Sequence, residues 1–159
     1  MIALDASVVV KWFKPHERFE AEAQSLLDLI GSFKVEALAS EWLSLEVVRG
    51  LKRAQKEVPA LAISDEDIHA AYEAIETLFR SGALLEVPVS EVKTLTKNVE
   101  IALGLYAADA LHLATAIYLG ARWLVLLCYF YGQYMVVPDR ACPVVGGSLR
   151  SDLSRPARQ

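Results

Sequence analysis

The chain has 159 residues, 54% of them hydrophobic and 23% charged, which excludes a disordered polymer and leaves room for one domain with a sizeable core but not two. Its net charge of -4 excludes a general attraction to nucleic acid, so a phosphate-bearing substrate must be met at a local site or through a cation. Cys128 and Cys142 lack Cys-x-x-Cys spacing and histidine partners at zinc-finger distances, so both are read as free thiols in a reducing compartment.

Ile2 to Asp5 is a short apolar run ending in an acid, the pattern of a central strand whose last residue emerges at the carboxyl edge of a sheet. The charge at Asp5 falls where a signal peptide would continue its apolar region, so secretion is not expected and a cytoplasmic location is. Ala6 to Phe13 reads as a tighter turn. From His16 to Ile30, Phe19, Ala23, Leu26 and Ile30 recur at helical spacing, with Gly31 and Ser32 as the stop. Val35 to Ala39 is a second strand, and Ser40 is an N-cap candidate for a helix carrying Leu43, Val47, Gly50, Leu51 and Ala54 on one face. Ser64-Asp65-Glu66-Asp67 has the form of a capping box opening another helix, which should end near Ser81-Gly82.

A third strand is expected at Ala83 to Val87, a weak helix at Val92 to Leu103, and a nearly all-apolar helix at Ala107 to Leu119, closed by Gly120. Arg122 to Leu127 reads as the fourth strand. The 16 uncharged residues from Trp123 to Pro138 fall short of the ~20 that cross a bilayer, so no membrane span is expected. Alternating strands and helices predict an α/β domain with a mainly parallel sheet covered on both faces, over residues 1–139. Residues 140–159 carry four arginines against one aspartate, with Pro143, Gly146, Gly147 and Pro156, and are read as a mobile basic tail.

Three acids stand where a solvated charge should not. Glu46 projects onto the border of the apolar helix face, while Glu41 points away from it. Asp109 is the only acid between Ala107 and Leu119, and Asp5 ends the first strand. Each has a bland reading: Asp109 as the N-cap of a helix starting at Ala110, Glu46 paired with Arg49 or Arg53, Asp5 capping its own turn. Together they fit the carboxyl edge of an α/β sheet, where ligands bind, and converging carboxylates without nearby lysines call for a hard divalent cation. His16, His69 and His112 show no nuclease-pair spacing, and His112 is read as a satisfied core or rim residue.

Ile2-Ala3-Leu4-Asp5-Ala6-Ser7, Glu41-Trp42-Leu43-Ser44-Leu45-Glu46-Val47, and Ala107-Ala108-Asp109-Ala110-Leu111-His112-Leu113-Ala114 before Gly120-Ala121 occur in an order that resembles the PIN-domain family, most nearly the VapC toxins of toxin–antitoxin pairs. The resemblance covers residues 1 to about 127. It implies a three-layer α/β/α domain, often dimeric, that cleaves single-stranded or loop RNA with Mg2+ or Mn2+ and is blocked by a small antitoxin. It implies that Asp5, Glu46 and Asp109 hold the metal, with Ser7 a hydroxyl facing substrate beside the first of them. The family pattern Leu-Val-Thr-x-Asp after the fourth strand corresponds here to Leu124-Val125-Leu126-Leu127-Cys128, which lacks both the hydroxyl and the fourth acid. Asp139 is a distant substitute. The resemblance therefore implies an underpowered site, and the alternative is a catalytically silent PIN-like module that binds an antitoxin or RNA. A phosphatase that starts from a strand-terminal Asp would need a second Asp where Ser7 stands.

Overall fold

The computed structural model describes residues 1–16 and 18–125; Cys128, Cys142, Asp139, the end of the expected fourth strand and the arginine-bearing tail lie outside the described residues. Four parallel strands, β1 (Ile2–Leu4), β2 (Ala37–Ser40), β3 (Leu84–Val87) and β4 (Trp123–Val125), form one sheet in the order β3-β2-β1-β4. Ile2 pairs with Ala37 on one side and Trp123 on the other, so β1 is central. Side chains alternate across the sheet with the period of two that strands impose. Leu4, Ala37, Ala39 and Leu84 enter one core with residues of the helices α1 (Ala6–Val9), α2 (Glu20–Gly31), α3 (Leu43–Glu57) and α4 (Asp65–Ser81). Ala3, Leu38, Val87 and Leu124 enter a second core with α5 (Val89–Leu103) and α6 (Ala107–Tyr118). These are three layers, as the apolar strand runs predicted.

The order of the strands creates the position for a site. Chain connections run outward from β1 to β2 and β3, then return past β1 to β4, so the direction of winding reverses between β1 and β4. In open parallel sheets the crevice at such a reversal, beyond the carboxyl ends of the strands, is where ligands bind. Asp5 stands there, its N–H donating to the Val125 carbonyl at 3.1 Å.

Several boundaries differ from the sequence expectations. The second helix starts at Glu20 rather than His16, because Pro15 is followed by left-handed backbone at His16 (φ 63°) and Phe19 (φ 68°), while the Glu20 carboxylate accepts the His16 N–H at 2.7 Å. The α3 N-cap is Trp42 and not Ser40, whose hydroxyl instead accepts the Trp42 N–H at 3.2 Å. Helix α5 begins at Val89, directly after the extended Pro88, three residues before the expected Val92. The capping box at Ser64 is present: its hydroxyl accepts the Asp67 N–H at 3.0 Å and the Asp67 carboxylate accepts the Ser64 N–H at 2.8 Å. Gly82 ends α4 with φ 73°, where a side chain would be strained. Among the described residues no single helix is long and apolar enough to cross a membrane.

Gly50 fixes how closely α3 approaches the turn after β1. A Cβ at this position would stand 2.8 Å from Val10 Cγ2, so the missing side chain lets the helix seat against Val10. One turn earlier on the same face of α3 is Glu46.

Candidate active site

Each of the three acids arrives at the carboxyl edge by a different route. Asp5 follows β1 and is the N-cap of α1, its Oδ1 accepting the Ser7 N–H at 2.7 Å. Glu46 lies in the first turn of α3, which follows β2, and Asp109 lies in the first turn of α6, which leads back into β4. A carboxylate in a first helical turn is favoured by the positive end of the helix dipole, which suits these charges at the starts of α3 and α6. The bland readings now divide. Asp5 does cap its turn, but with one oxygen only. Asp109 is not an N-cap, since that place is taken by Tyr106 without a side-chain bond. Of the two arginines that the sequence offers Glu46, Arg53 pairs with Glu57 at 2.8 Å.

What Glu46 meets is His112. The imidazole Nε2 stands 2.6 Å from Glu46 Oε2 and 3.6 Å from Asp5 Oδ2, and the three side chains are 20%, 17% and 3% exposed for Glu46, Asp5 and His112. At 2.6 Å the imidazole and Glu46 Oε2 meet as an ion pair without the alignment of a good hydrogen bond, and His112 Nδ1, on the other side of the ring, is buried without a partner among the described residues. Burial taken alone would depress the basicity of His112, but Glu46 in contact, with the charges of Asp5 and Asp109, outweighs it and raises the histidine above its ordinary value. Asp109 is exposed at the rim of the site, yet its carboxyl is pushed up, first by desolvation and then by Asp5, with Glu46 adding to the effect and His112 opposing it.

The structure thus brings Asp5, Glu46 and Asp109 into one electrostatic neighbourhood and adds His112, buried as its apolar helix predicts but set against the acids. The available signal was its spacing, three residues after Asp109 and hence on the same face of α6. Ser7 contributes its backbone N–H to Asp5, which ties it to the site. A groove of about 340 Å³ between α3 and α4, lined by Leu45, Val48, Ile68 and Tyr72 with Lys52, Asp65 and His69, contains none of Asp5, Glu46 and Asp109 and is a separate feature.

Among the described residues no three His, Cys, Asp or Glu side chains are grouped so that, as placed, they could hold a metal ion. The donor chemistry nevertheless fits a hard divalent cation: carboxylate oxygens from three elements, one of them buried without an aligned partner, and an Asp109 whose charge is opposed by its neighbours.

A parallel α/β domain with carboxylates gathered at its topological switch point defines an acidic, oxygen-donor class of site on a three-layer fold. The PIN domain family model matches residues 2–126, and the chain belongs to that family. Among solved structures, it is similar to Mycobacterium tuberculosis VapC20, described as a sarcin–ricin loop cleaving toxin, with a TM-score of 0.57 and 13% identity over 80% of this chain and 90% of that one. That likeness is one of fold. No curated protein sequence matches the chain.

Proposed function

We propose that the protein is a metal-dependent endoribonuclease of the VapC type, the toxin of a toxin–antitoxin pair, with Mg2+ or Mn2+ held by Asp5, Glu46 and Asp109. The observation that carries the reading is the meeting of these acids at the switch point of a PIN domain, where Asp109 is pressed by the charges of the other two. The fold likeness to a toxin described as cleaving the sarcin–ricin loop supports RNA as the substrate class. With a net charge of -4 and acids gathered at the site, the chain meets a polyanion there through a bridging cation. When bound, the cation supplies that bridge and makes a coordinated water acidic enough to act as a nucleophile. The protein's own part is to hold oxygen donors still: Ser7 fixes one oxygen of Asp5, α3 and α6 orient Glu46 and Asp109 by their first turns, and the packed apolar faces behind them resist displacement. A cytoplasmic location and an antitoxin partner belong to the same proposal.

Purified protein is expected to cleave single-stranded and stem-loop RNA slowly in Mn2+ and to stop on addition of EDTA. Cleavage that persists at full rate in EDTA overturns the reading. A second reading, a PIN module that binds RNA or antitoxin without cutting, is favoured by the absence of a preformed cage among the described residues and by Cys128 at the family's usual fourth acid. RNA retained by the protein in Mn2+ yet left intact over hours would select it. A homodimer is also proposed, from a mean hydropathy of +0.31 and from the exposure of Ile101 and Tyr106, at 76% and 85%. Light scattering at micromolar concentration should give twice the 17.5 kDa chain mass, and the single-chain mass refutes it.

A further inference from the structure

Metal holding by three carboxylates leaves His112 without a role, although its placement is the most constrained of the site. It lies on α6 among the buried residues Ala110, Leu111, Leu113 and Ala114, with 3% of its surface exposed. A polar ring in such surroundings is costly unless it meets a partner. The partners it meets are Glu46 and, at longer range, Asp5. Glu46, by contrast, has a long side chain with several rotatable bonds. Two cations further along α3 form pairs of their own, Lys52 with Asp65 at 2.5 Å and Arg53 with Glu57. The rigid member of the pair is therefore the histidine and the mobile one is the glutamate.

We propose that His112 is a positioning residue of the acidic site, its Nε2 holding the Glu46 carboxylate on the side of the site shared with Asp5 so that the oxygen donors are arranged before a cation arrives. The proposal rests on the metal-dependent reading above. Groups that orient metal ligands are commonly worth about 10–100-fold in metal affinity when removed. His112 acts through Glu46 and not on the substrate, so its effect belongs in metal affinity and in kcat more than in KM for RNA.

The test compares wild type with His112→Gln, His112→Asn and His112→Ala. A glutamine amide reaches about as far as Nε2, whereas the asparagine amide ends near the position of Nδ1. Calorimetric titration with Mn2+ should find His112→Gln within about threefold of wild type, and His112→Asn and His112→Ala weaker by about 10–100-fold, at melting temperatures that show all three folded. If the glutamine binds no better than the alanine, or all variants match wild type, the proposal is overturned while the metal site stands. The second readout needs no metal: the carboxyl 13C resonance of Glu46, assigned with Glu46→Gln, should move in His112→Ala and return toward its original position in His112→Gln. Should wild type bind no Mn2+ and cut no RNA, the functional reading fails, and this resonance alone decides: a shift recovered by glutamine sustains the contact, and no shift in His112→Ala overturns it.

Discussion

Asp109→Asn is expected to lower Mn2+-dependent RNA cleavage by on the order of 100-fold or more, while leaving the metal-free protein at least as stable as wild type. The two halves of this expectation have one cause. Asp109 stands at the start of α6 with its charged form opposed by desolvation, by Asp5 and by Glu46. An isosteric neutral amide removes that opposition and keeps the shape, so nothing in the core must adjust. What it gives up is a share of the helix-dipole interaction in the first turn of α6, typically about 0.3–1 kcal/mol. A cation reverses the balance, because the repulsion that burdens the empty site is what draws the ion in. Calorimetry should therefore show weaker Mn2+ binding in the variant and thermal denaturation an unchanged or higher Tm without metal. If Asp109 served only the architecture of α6, the pattern would invert, with Mn2+ affinity intact and Tm reduced.

The layers of the fold could be read from the sequence because the two inner strands are buried on both faces. Ile2 to Leu4 and Ala37 to Ser40 are small or apolar on successive residues, and that signal survives without any contact information, while in the outer strand β3 Leu84 and Val87 are buried and Leu85 and Glu86 are exposed. The start of α4 was equally legible, since Ser64 and Asp67 satisfy each other's backbone groups locally. The start of α2 was not: helical spacing through Phe19 gave no warning that His16 and Phe19 would take left-handed backbone. Asp5, Glu46 and Asp109 stood out as acids in apolar or strand-end settings, which is a local property. His112 did not, because its meaning depends on α6 being laid against α3 across the switch point, and periodicity on one helix says nothing of what the neighbouring helix presents. The contact between Gly50 and Val10 that fixes the approach of α3 was hidden for the same reason.

Metal-free protein is expected to be most stable in mildly acidic solution and to lose stability as the pH rises above neutrality, and Mn2+ is expected to restore what is lost. His112 binds its proton more tightly when folded than its ordinary value of 6.5, since Glu46, Asp5 and Asp109 together outweigh the burial that opposes them. Its contribution is therefore fully present below about 6.5 and disappears as the pH climbs through the raised folded value. Asp109 and Glu86 shift in the same direction, both chiefly by desolvation, with Asp5 next for Asp109 and Glu76 next for Glu86, so each also favours folding more when protonated. Asp65, bound by Lys52 and Gln55, and Asp67, bound by Ser64, shift down; their contributions are present above their ordinary value of 3.8 and are lost only as the pH falls below it. The maximum should lie between these two windows. A tenfold change in proton affinity corresponds to about 1.4 kcal/mol, and 1 kcal/mol moves the Tm of a chain this long by about 2–4 °C, so the decline is measurable by calorimetry. A cation at 100 times its Kd adds about 2.7 kcal/mol, a rise of about 5–10 °C, and it competes with the proton for the same carboxylates, so its stabilisation should be larger at pH 8 than at pH 5.5. Replacing His112 with glutamine should flatten the metal-free profile above pH 6.5. A wild-type Tm that climbs steadily from pH 6 to pH 8.5 without metal would mean that the histidine is not held by the acids as described.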